Sequence, residues 1–149
     1  MPNSDTFDLD DFLPYLLNQA ASETSLEFQK YYKGKYGLLQ TEWRVIFHLG
    51  RNGTMTATDI CTRARIHKTK VSRAVSGLER RRYLSRRAVP NDRRHEGLTL
   101  TRQGEVVYAD LREAAFRFDR AVMAQIPRQN REVLRRCLRQ LARVGAGAG

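Results

Sequence analysis

The spacing of apolar residues changes between residues 66 and 100, and this change constrains the fold more than any other feature. Four of these residues repeat at the spacing of a single helix face: Val71, Ala74, Val75 and Leu78. This pattern predicts a helix with one buried side. After Tyr83, apolar and polar residues alternate on both sides of a charged turn at residues 90–94, as they do in two short strands. The sequence therefore predicts a helix followed by a hairpin with a basic tip.

Basic residues are concentrated in the same part of the chain. Residues 61–94 contain twelve Lys and Arg but only two acids, whereas residues 1–30 contain six acids and one base. A positive field of this density attracts a polyanion, of which nucleic acid is the commonest. The apolar stripe leaves five residues of the helix facing away from the core: Lys68, Thr69, Lys70, Ser72 and Arg73. We therefore predict a mainly α-helical fold with a small β-wing, the winged helix-turn-helix of DNA-binding proteins.

The exposed side of this helix is the predicted DNA-reading surface. An α-helix fits the major groove of B-DNA, where the base edges present distinct donors and acceptors. Thr69, Lys70 and Arg73 are predicted to contact base edges. Lys68 and Ser72 are predicted to bind phosphate, which fixes the register of the protein without reading sequence.

The turn of the hairpin carries the other predicted DNA contacts. Arg93 or Arg94 is expected to enter the minor groove, because a guanidinium suits a narrow, electronegative groove rich in A·T pairs. Asp92 would be repelled by DNA, so we expect it to pair with a nearby arginine and fix the shape of the turn. The competing hypothesis is a nonspecific architectural DNA-binding protein, which needs the charge but no distinct recognition helix.

Apolar residues at spacings of three and four continue on both sides of this lobe, as in amphipathic helices. The single chain 1–149 is thus divided into four parts: helices over 7–33, a DNA-binding lobe over 38–100, helices over 101–144 and a flexible tail over 145–149. A lobe of this size cannot cover the apolar faces of all the flanking helices. A symmetric homodimer is the most economical way to cover them, so we predict dimerisation through both flanking regions.

Three local signals predict where helices begin and end. The segment 33–37, which contains two glycines, is expected to end the first helix. Thr56, followed by Asp59 three residues later, has the pattern of a capping box that opens a short helix. Thr101 is expected to cap the long helix that follows the hairpin.

Several motifs occur along the lobe in a fixed order: Tyr36-Gly37-Leu38, Glu42-Trp43-Arg44-Val45-Ile46, Lys68-Thr69-Lys70-Val71-Ser72-Arg73-Ala74-Val75, Leu78-Glu79, Asp92-Arg93-Arg94 and Leu98-Thr99-Leu100-Thr101-Arg102-Gln103-Gly104. Together they resemble the multiple-antibiotic-resistance regulator (MarR) family of bacterial transcription factors. The resemblance implies a dimeric repressor or activator that binds a pseudo-palindromic double-stranded DNA operator, with half-sites about one helical turn apart. It also implies a small-molecule effector, often an aromatic acid or a phenol, bound between the dimer helices and the DNA-binding lobe.

Three positions depart from the family pattern. Leu39 stands where the family often has Thr, and Arg65 stands where it often has Gly between the two helices of the motif. Both changes are expected to shift helix caps slightly. His67 stands where an acid commonly opens the recognition helix. The loss of that negative charge near DNA favours phosphate binding.

Candidate effector residues lie close together in sequence near the first of these motifs. Arg44 and His48 are four residues apart and share a helix face beside Trp43 and Phe47. An arginine beside aromatic surface is suited to anchor the carboxylate of an aromatic acid, and Tyr36 offers a hydroxyl. The alternative interpretation is that Arg44 pairs with an acid, His48 is exposed and the aromatic residues belong to the core.

Other classes of function find no support in the sequence. It contains no Gly-rich phosphate loop, no paired His or Cys ligands and no nucleophile motif, so we predict no enzyme activity, no cofactor and no metal. Cys61 and Cys137 are far apart and are expected to be packed, reduced thiols. With no run of about 18 apolar residues and an acidic start unlike a secretion signal, the chain is expected to have no membrane partner and to be cytoplasmic.

Overall fold

The computed structural model describes residues 6–89 and 92–144 of the chain. A short 3-10 turn, Leu9–Asp11, comes first. The α-helices that follow in these residues are α1 (Leu13–Tyr36), α2 (Gln40–Asn52), α3 (Ala57–Ala64), α4 (Lys68–Arg80), α5 (Arg102–Met123) and α6 (Arg128–Val144). The strands are β1 (Met55–Thr56), β2 (Leu84–Val89) and β3 (Asp92–Leu100). The prediction of a mainly α-helical fold with a small β-wing is confirmed.

The strands form one antiparallel sheet in the order β1-β3-β2. Leu84 pairs with Leu100, and Met55 pairs with Leu98 on the other side of β3. These four side chains are at most 9% exposed, so the sheet joins the core through its base. The alternation of inward and outward residues weakens beyond Leu84, because β2 leaves the core and extends as one strand of the wing.

The core lies where α2, α3 and α4 meet the base of the sheet. The largest side chains that are almost wholly buried are Leu38, Ile46, Leu49, Ile60, Leu78, Leu98, Leu111, Val45, Val71 and Val75. Every residue of the predicted stripe of α4 is among the buried residues, at 4% exposure or less. At about 1.5–3 kcal/mol for each fully buried large apolar side chain, this stripe fixes which side of α4 faces the core.

Both predicted N-terminal caps are confirmed. The Thr56 hydroxyl accepts a hydrogen bond from the N–H of Asp59 at 3.1 Å, and the Asp59 carboxylate accepts one from the N–H of Thr56 at 3.2 Å. The Thr101 hydroxyl accepts a hydrogen bond from the N–H of Gly104 at 3.0 Å. Each cap satisfies N–H groups that have no partner within the helix, so α3 and α5 begin at defined positions.

The first helix ends within the predicted segment 33–37, but it extends three residues beyond residue 33, where it was predicted to stop. α1 continues through Gly34 to Tyr36 and ends at Gly37, which has a φ of 64° and donates its N–H to the carbonyl of Lys33 at 2.8 Å. One glycine inside a helix costs about 1 kcal/mol, which tertiary contacts readily outweigh. Here Lys35 and Tyr36 both contact Asp110 of α5, and these contacts hold the last turn of α1 in helical form.

The chain divides into two compact units, Met1–Ala114 and Ala115–Gly149. The first unit leaves several large apolar side chains exposed near its start: Phe7, Leu9, Phe12, Leu13 and Leu16. The second unit exposes the apolar stripe of α6: Val133, Leu134, Leu138, Leu141 and Val144. Cys137 lies in the same stripe and is also exposed, so the prediction of a packed thiol there is wrong for the single protomer.

A search of the described helices finds none that combines the length and the apolar character needed to cross a bilayer.

Gly37 and Gly34 provide a matched test of how α1 ends. Gly37→Ala is expected to lower the free energy of unfolding by about 1–2 kcal/mol, because its left-handed backbone strains any residue with a Cβ. Gly34→Ala, inside the helix with nothing within 4 Å of the added Cβ, is expected to raise it by up to about 1 kcal/mol. Urea unfolding of the two variants measures both changes. Equal effects of the same sign would contradict this placement of the helix end.

Candidate nucleic-acid interface

The predicted recognition helix, α4, begins with an unusual cap. His67 is the N-cap residue, and its Nδ1 accepts a hydrogen bond from the N–H of Thr69 at 3.2 Å. The imidazole accepts the hydrogen bond that a Ser or Asp side chain usually accepts at this position, and it does so without adding a negative charge. The start of α4 therefore keeps its positive end free of acidic side chains, which suits the approach of phosphate.

The predicted DNA-reading residues all lie on α4, and all of them are exposed: Lys68, Thr69, Lys70, Ser72 and Arg73. Val71, Val75 and Leu78 lie on the opposite side, at 2% exposure or less. The sequence pattern and the structure therefore agree on which side of the helix faces solvent. Their individual roles, base contact or phosphate contact, remain predictions.

The turn between α3 and α4 holds the two helices of the motif together. Arg65 ends α3 with a φ of 55°, in the left-handed region that glycine adopts without strain. An arginine there costs about 1–2 kcal/mol, and the next residue, Ile66, is buried. The arginine that stands in place of the family's glycine therefore adopts a conformation that strains its backbone.

A groove of about 540 Å³ runs between the start of α2 and the exposed side of α4. Its cationic lining residues are Lys70, Arg73 and Arg80. Thr41 of α2 and Leu39, the N-cap residue before it, line the other side, and the carboxylate of Glu42 lies at the floor of the groove. The groove places the start of α2 beside the predicted base-reading residues, so both elements belong to one continuous surface.

The wing is described only in part. Pro90 and Asn91 lie outside the described residues, and so do the side chains of the predicted contacts Asp92, Arg93 and Arg94, although β3 itself begins at Asp92. The predicted roles of these three side chains remain predictions.

Two arginines of the basic segment are paired within the protein. Arg86 forms ion pairs with Glu79 at 3.1 Å and with Glu96 at 3.3 Å, which ties the wing to the last turn of α4. Arg81 donates hydrogen bonds to the main-chain carbonyls of Tyr36 and Gly37, each at 2.8 Å. Two guanidinium groups that the sequence counts toward a DNA-binding charge therefore stabilise the lobe instead.

The candidate effector residues fall into two separate environments. Trp43 and Phe47 pack edge to face at 5.2 Å, and their rings extend to Phe28 and Tyr108 at 5.1 and 5.5 Å. These half-buried rings join α1, α2 and α5 around the core. Such packing matches the alternative interpretation for the aromatic pair.

Arg44 and His48 lie one turn apart on α2, beside this aromatic cluster. Arg44 is exposed and His48 is half-buried. Burial lowers the pKa of His48, and the neighbouring positive charges of Arg44, Arg63 and Arg51 lower it further. The imidazole is therefore neutral at pH 7, and Arg44 supplies the positive charge at this place.

The Tyr36 hydroxyl is committed to a polar cluster that the sequence did not reveal. It donates to Asp110 Oδ2 at 2.5 Å, Tyr31 donates to the same carboxylate at 2.9 Å, and Lys35 Nζ lies 2.9 Å away. The hydrogen bond from Tyr36 lowers the pKa of Asp110, whereas burial and this bond raise the pKa of Tyr36 to about 12. Asp110 is thus a charged acceptor that ties α5 to the end of α1.

Sequence analysis missed the structural roles of three polar residues, Glu42, Arg81 and Asp110. Glu42 is 4% exposed, although a carboxylate is rarely so deeply buried. Its position in the first turn of α2 suggests a cap, but nothing in the sequence indicates that α4 covers it. Asp110 adjoins the buried Leu111, which is a weak signal for an acid with partners.

Known proteins match this chain in sequence. Residues 36–95 match the model of the MarR family. The chain is 30% identical over 104 residues to the HTH-type transcriptional regulator FarR of Neisseria gonorrhoeae, covering 69% of this chain and 70% of FarR.

Solved structures share the fold. A MarR/EmrR family transcriptional regulator from Acinetobacter sp. ADP1 superposes with a TM-score of 0.84 at 23% identity, covering 95% of this chain and 99% of that one. Bordetella bronchiseptica BpsR, whose DNA binding is regulated by 6-hydroxynicotinic acid, superposes with a TM-score of 0.82 at 20% identity, covering 92% and 97%.

The fold and the exposed basic helix define a DNA-binding winged-helix protein. The chain belongs to the MarR family of transcription regulators. The resemblance noted in its sequence motifs is thereby confirmed.

Proposed function

We propose that the chain is a homodimeric repressor that binds a pseudo-palindromic operator and is released from it by a small ring-containing acid. The observation that carries the proposal is the exposed basic side of α4, held outward by a buried apolar stripe in a MarR-family fold. A regulator of this kind acts where the DNA is, so we place it in the cytoplasm. Its role is regulation by binding, not catalysis.

The proposed contacts follow the exposed side of α4 from its N-terminus. Thr69, Lys70 and Arg73 read base edges in the major groove, and Lys68 and Ser72 bind phosphate. The wing arginines, Arg93 and Arg94, enter the minor groove, while Asp92 fixes the turn. This division gives both the affinity and the sequence preference of a regulator.

Charge removal at two matched positions tests the proposed surface. Arg73→Ala is expected to weaken binding to a duplex selected by the wild-type protein from a random pool by about 1–3 kcal/mol, because a base contact is lost. Lys33→Ala removes an equal charge from an exposed position of α1 and is expected to change affinity little. Fluorescence anisotropy at fixed salt measures both.

The same assay with a shuffled duplex separates the two DNA-binding hypotheses. A regulator is expected to prefer the selected duplex by at least about a thousandfold. A ratio near one would instead indicate the nonspecific architectural protein. Equal losses for Arg73→Ala and Lys33→Ala would show that the reading surface is wrongly placed.

The exposed apolar faces support the homodimer. In one unit the residues before and at the start of α1 expose aromatic and aliphatic side chains, and in the other α6 exposes a full stripe. Monomeric proteins rarely leave such continuous apolar surface in water. A second copy brings an identical set of faces, which a twofold axis pairs without leaving an open edge. The same axis presents two copies of α4 about one helical turn of DNA apart.

A charge placed in the α6 stripe tests this dimer. Leu138→Glu is expected to weaken self-association by about 3 kcal/mol for each protomer, because a carboxylate loses its hydration in an apolar interface. Gln140→Glu adds the same charge two residues away, off the stripe, and is expected to leave the dimer intact. Sedimentation equilibrium measures both variants. A wild-type monomer at micromolar concentration would refute the proposal.

The effector site is proposed around Arg44 on α2. A ring acid would set its carboxylate against Arg44 and its ring against the edge of Trp43 and Phe47, with neutral His48 beside Arg44. The Tyr36 hydroxyl, which donates to Asp110, is left out of this proposed site. BpsR, which shares this fold, is regulated by such an acid, 6-hydroxynicotinic acid. This likeness supports the chemical class of the effector and not its identity.

Thermal unfolding with matched probes tests the effector site. Benzoate or 6-hydroxynicotinic acid at a hundred times its Kd is expected to stabilise the wild-type protein by about 2.7 kcal/mol, and the corresponding neutral amides are expected to have little effect. Arg44→Ala is expected to abolish the shift, whereas Arg51→Ala, an exposed arginine on the last turn of α2, keeps it. Equal shifts with acid and amide would contradict a carboxylate site at Arg44.

A further inference from the structure

Arg81 lies at a junction of three helices. It directly follows α4, and its two terminal nitrogens donate hydrogen bonds to the carbonyls of Tyr36 and Gly37 at 2.8 Å each. Both carbonyls belong to the C-terminal end of α1, where unpaired carbonyls carry partial negative charge. A planar guanidinium binds two such acceptors at once, so Arg81 fixes the end of α4 against the end of α1.

Glu42 completes this junction from α2. Its Oε1 accepts a hydrogen bond from the N–H of Leu39 at 2.8 Å, and its Oε2 lies 3.8 Å from Nε of Arg81. Leu39 has no side-chain acceptor, so Glu42 supplies the only polar half of the cap at the start of α2. A carboxylate that is 4% exposed needs such partners, because an unpaired buried charge is very costly.

Gly77 shows how closely α4 approaches this carboxylate. A Cβ built at Gly77 would clash with Oε2 of Glu42. Glycine is poor at forming helices, yet it lies in the last two turns of α4. The absent side chain lets α4 rest directly on Glu42, so the position of this carboxylate sets the distance between α2 and α4.

We propose that Glu42 and Arg81 are positioning residues that fix the angle of α4, so that its base-reading side chains reach the duplex together. Neither residue contacts DNA. The proposal rests on the proposed reading of DNA by α4, and it adds determinants of specificity that lie behind the reading surface. The buried stripe sets the rotation of α4 about its axis, and the junction sets its tilt.

Electrostatics alone gives the opposite expectation for Glu42. Its carboxylate lies at the floor of the groove that also contains Lys70, Arg73 and Arg80. Removal of a negative charge from such a surface tightens the binding of a polyanion to any sequence. Positioning instead predicts weaker binding to the preferred sequence, with no loss on others.

The experiment compares a duplex selected by the wild-type protein from a random pool with a shuffled duplex of the same composition. Glu42→Gln is expected to weaken binding to the selected duplex about tenfold, as for the loss of a base contact, while binding to the shuffled duplex stays equal or tightens. Arg81→Lys keeps the charge but loses the paired hydrogen bonds. We expect it to lower the ratio of affinity for the selected duplex to affinity for the shuffled duplex by the same factor. Fluorescence anisotropy measures each Kd.

Two matched controls accompany these variants. Glu23→Gln removes an exposed acid from α1 far along the helix from the junction, and Arg82→Lys conserves charge at the residue beside Arg81. Neither is expected to lower the ratio of selected to shuffled affinity. Gly77→Ala changes no charge and favours helix formation, so it displaces Glu42 without weakening α4 itself. Gly77→Ala is expected to lower the ratio as Glu42→Gln does. It therefore tests the proposal even if Glu42→Gln fails to fold.

Each result decides the proposal. An unchanged ratio in Arg81→Lys and Gly77→Ala, or tighter binding of Glu42→Gln to both duplexes, would overturn it while leaving the regulator assignment in place. An equal fold-loss of affinity for both duplexes would show that the junction only stabilises the fold, and this result would also overturn the proposal. A wild-type protein that binds both duplexes equally would instead contradict the proposed sequence-specific function itself.

Discussion

The burial of one side of α4 is the constraint on which the rest of this structure depends. Val71, Val75 and Leu78 are almost wholly buried against the core. A helix has only one solution that buries this stripe, and that solution turns the lysines and arginines of α4 toward water. The apolar residues therefore orient the basic ones. The charge of the segment gives affinity for a polyanion, but the stripe is what converts that charge into a directed surface.

Much of the fold was predictable because its signals are local. The period of the stripe identified α4, the change to alternation identified the wing, and the caps at Thr56 and Thr101 lie within three residues of the groups they satisfy. The end of α1 was not predictable in this way. Two glycines indicated a break, but the helix continues past Gly34 because Asp110, which is 74 residues beyond Tyr36, stabilises its last turn. Local propensity is a weak prior where a distant partner contributes more.

The candidate site was predictable to a lesser degree, because charge can be counted in a sequence but its environment cannot. Residues 61–94 hold twelve bases, and the sequence does not show which of them are paired within the protein. In the structure Arg86 pairs with Glu79 and Glu96, and Arg81 binds carbonyls of α1 that are more than forty residues earlier. The predicted reading residues on α4 were identified correctly as exposed, since the exposed positions of a helix follow from the period of its apolar residues. The buried Glu42 and the half-buried Asp110 were missed, since the environment of an acid follows only from partners elsewhere in the chain.

Tyr36 links the two polar clusters that sequence analysis did not find. Its hydroxyl donates to Asp110 on α5, and its carbonyl accepts a hydrogen bond from Arg81 at the end of α4. The last turn of α1 is therefore held from two sides, which accounts for a helix that passes through a glycine and ends only where Gly37 adopts its left-handed conformation. Apolar packing tolerates small changes of angle at modest cost, whereas a charge-assisted hydrogen bond is lost when its partner turns away. On the proposed role of Arg81, α4 therefore has a narrower range of tilt than its apolar stripe alone would allow.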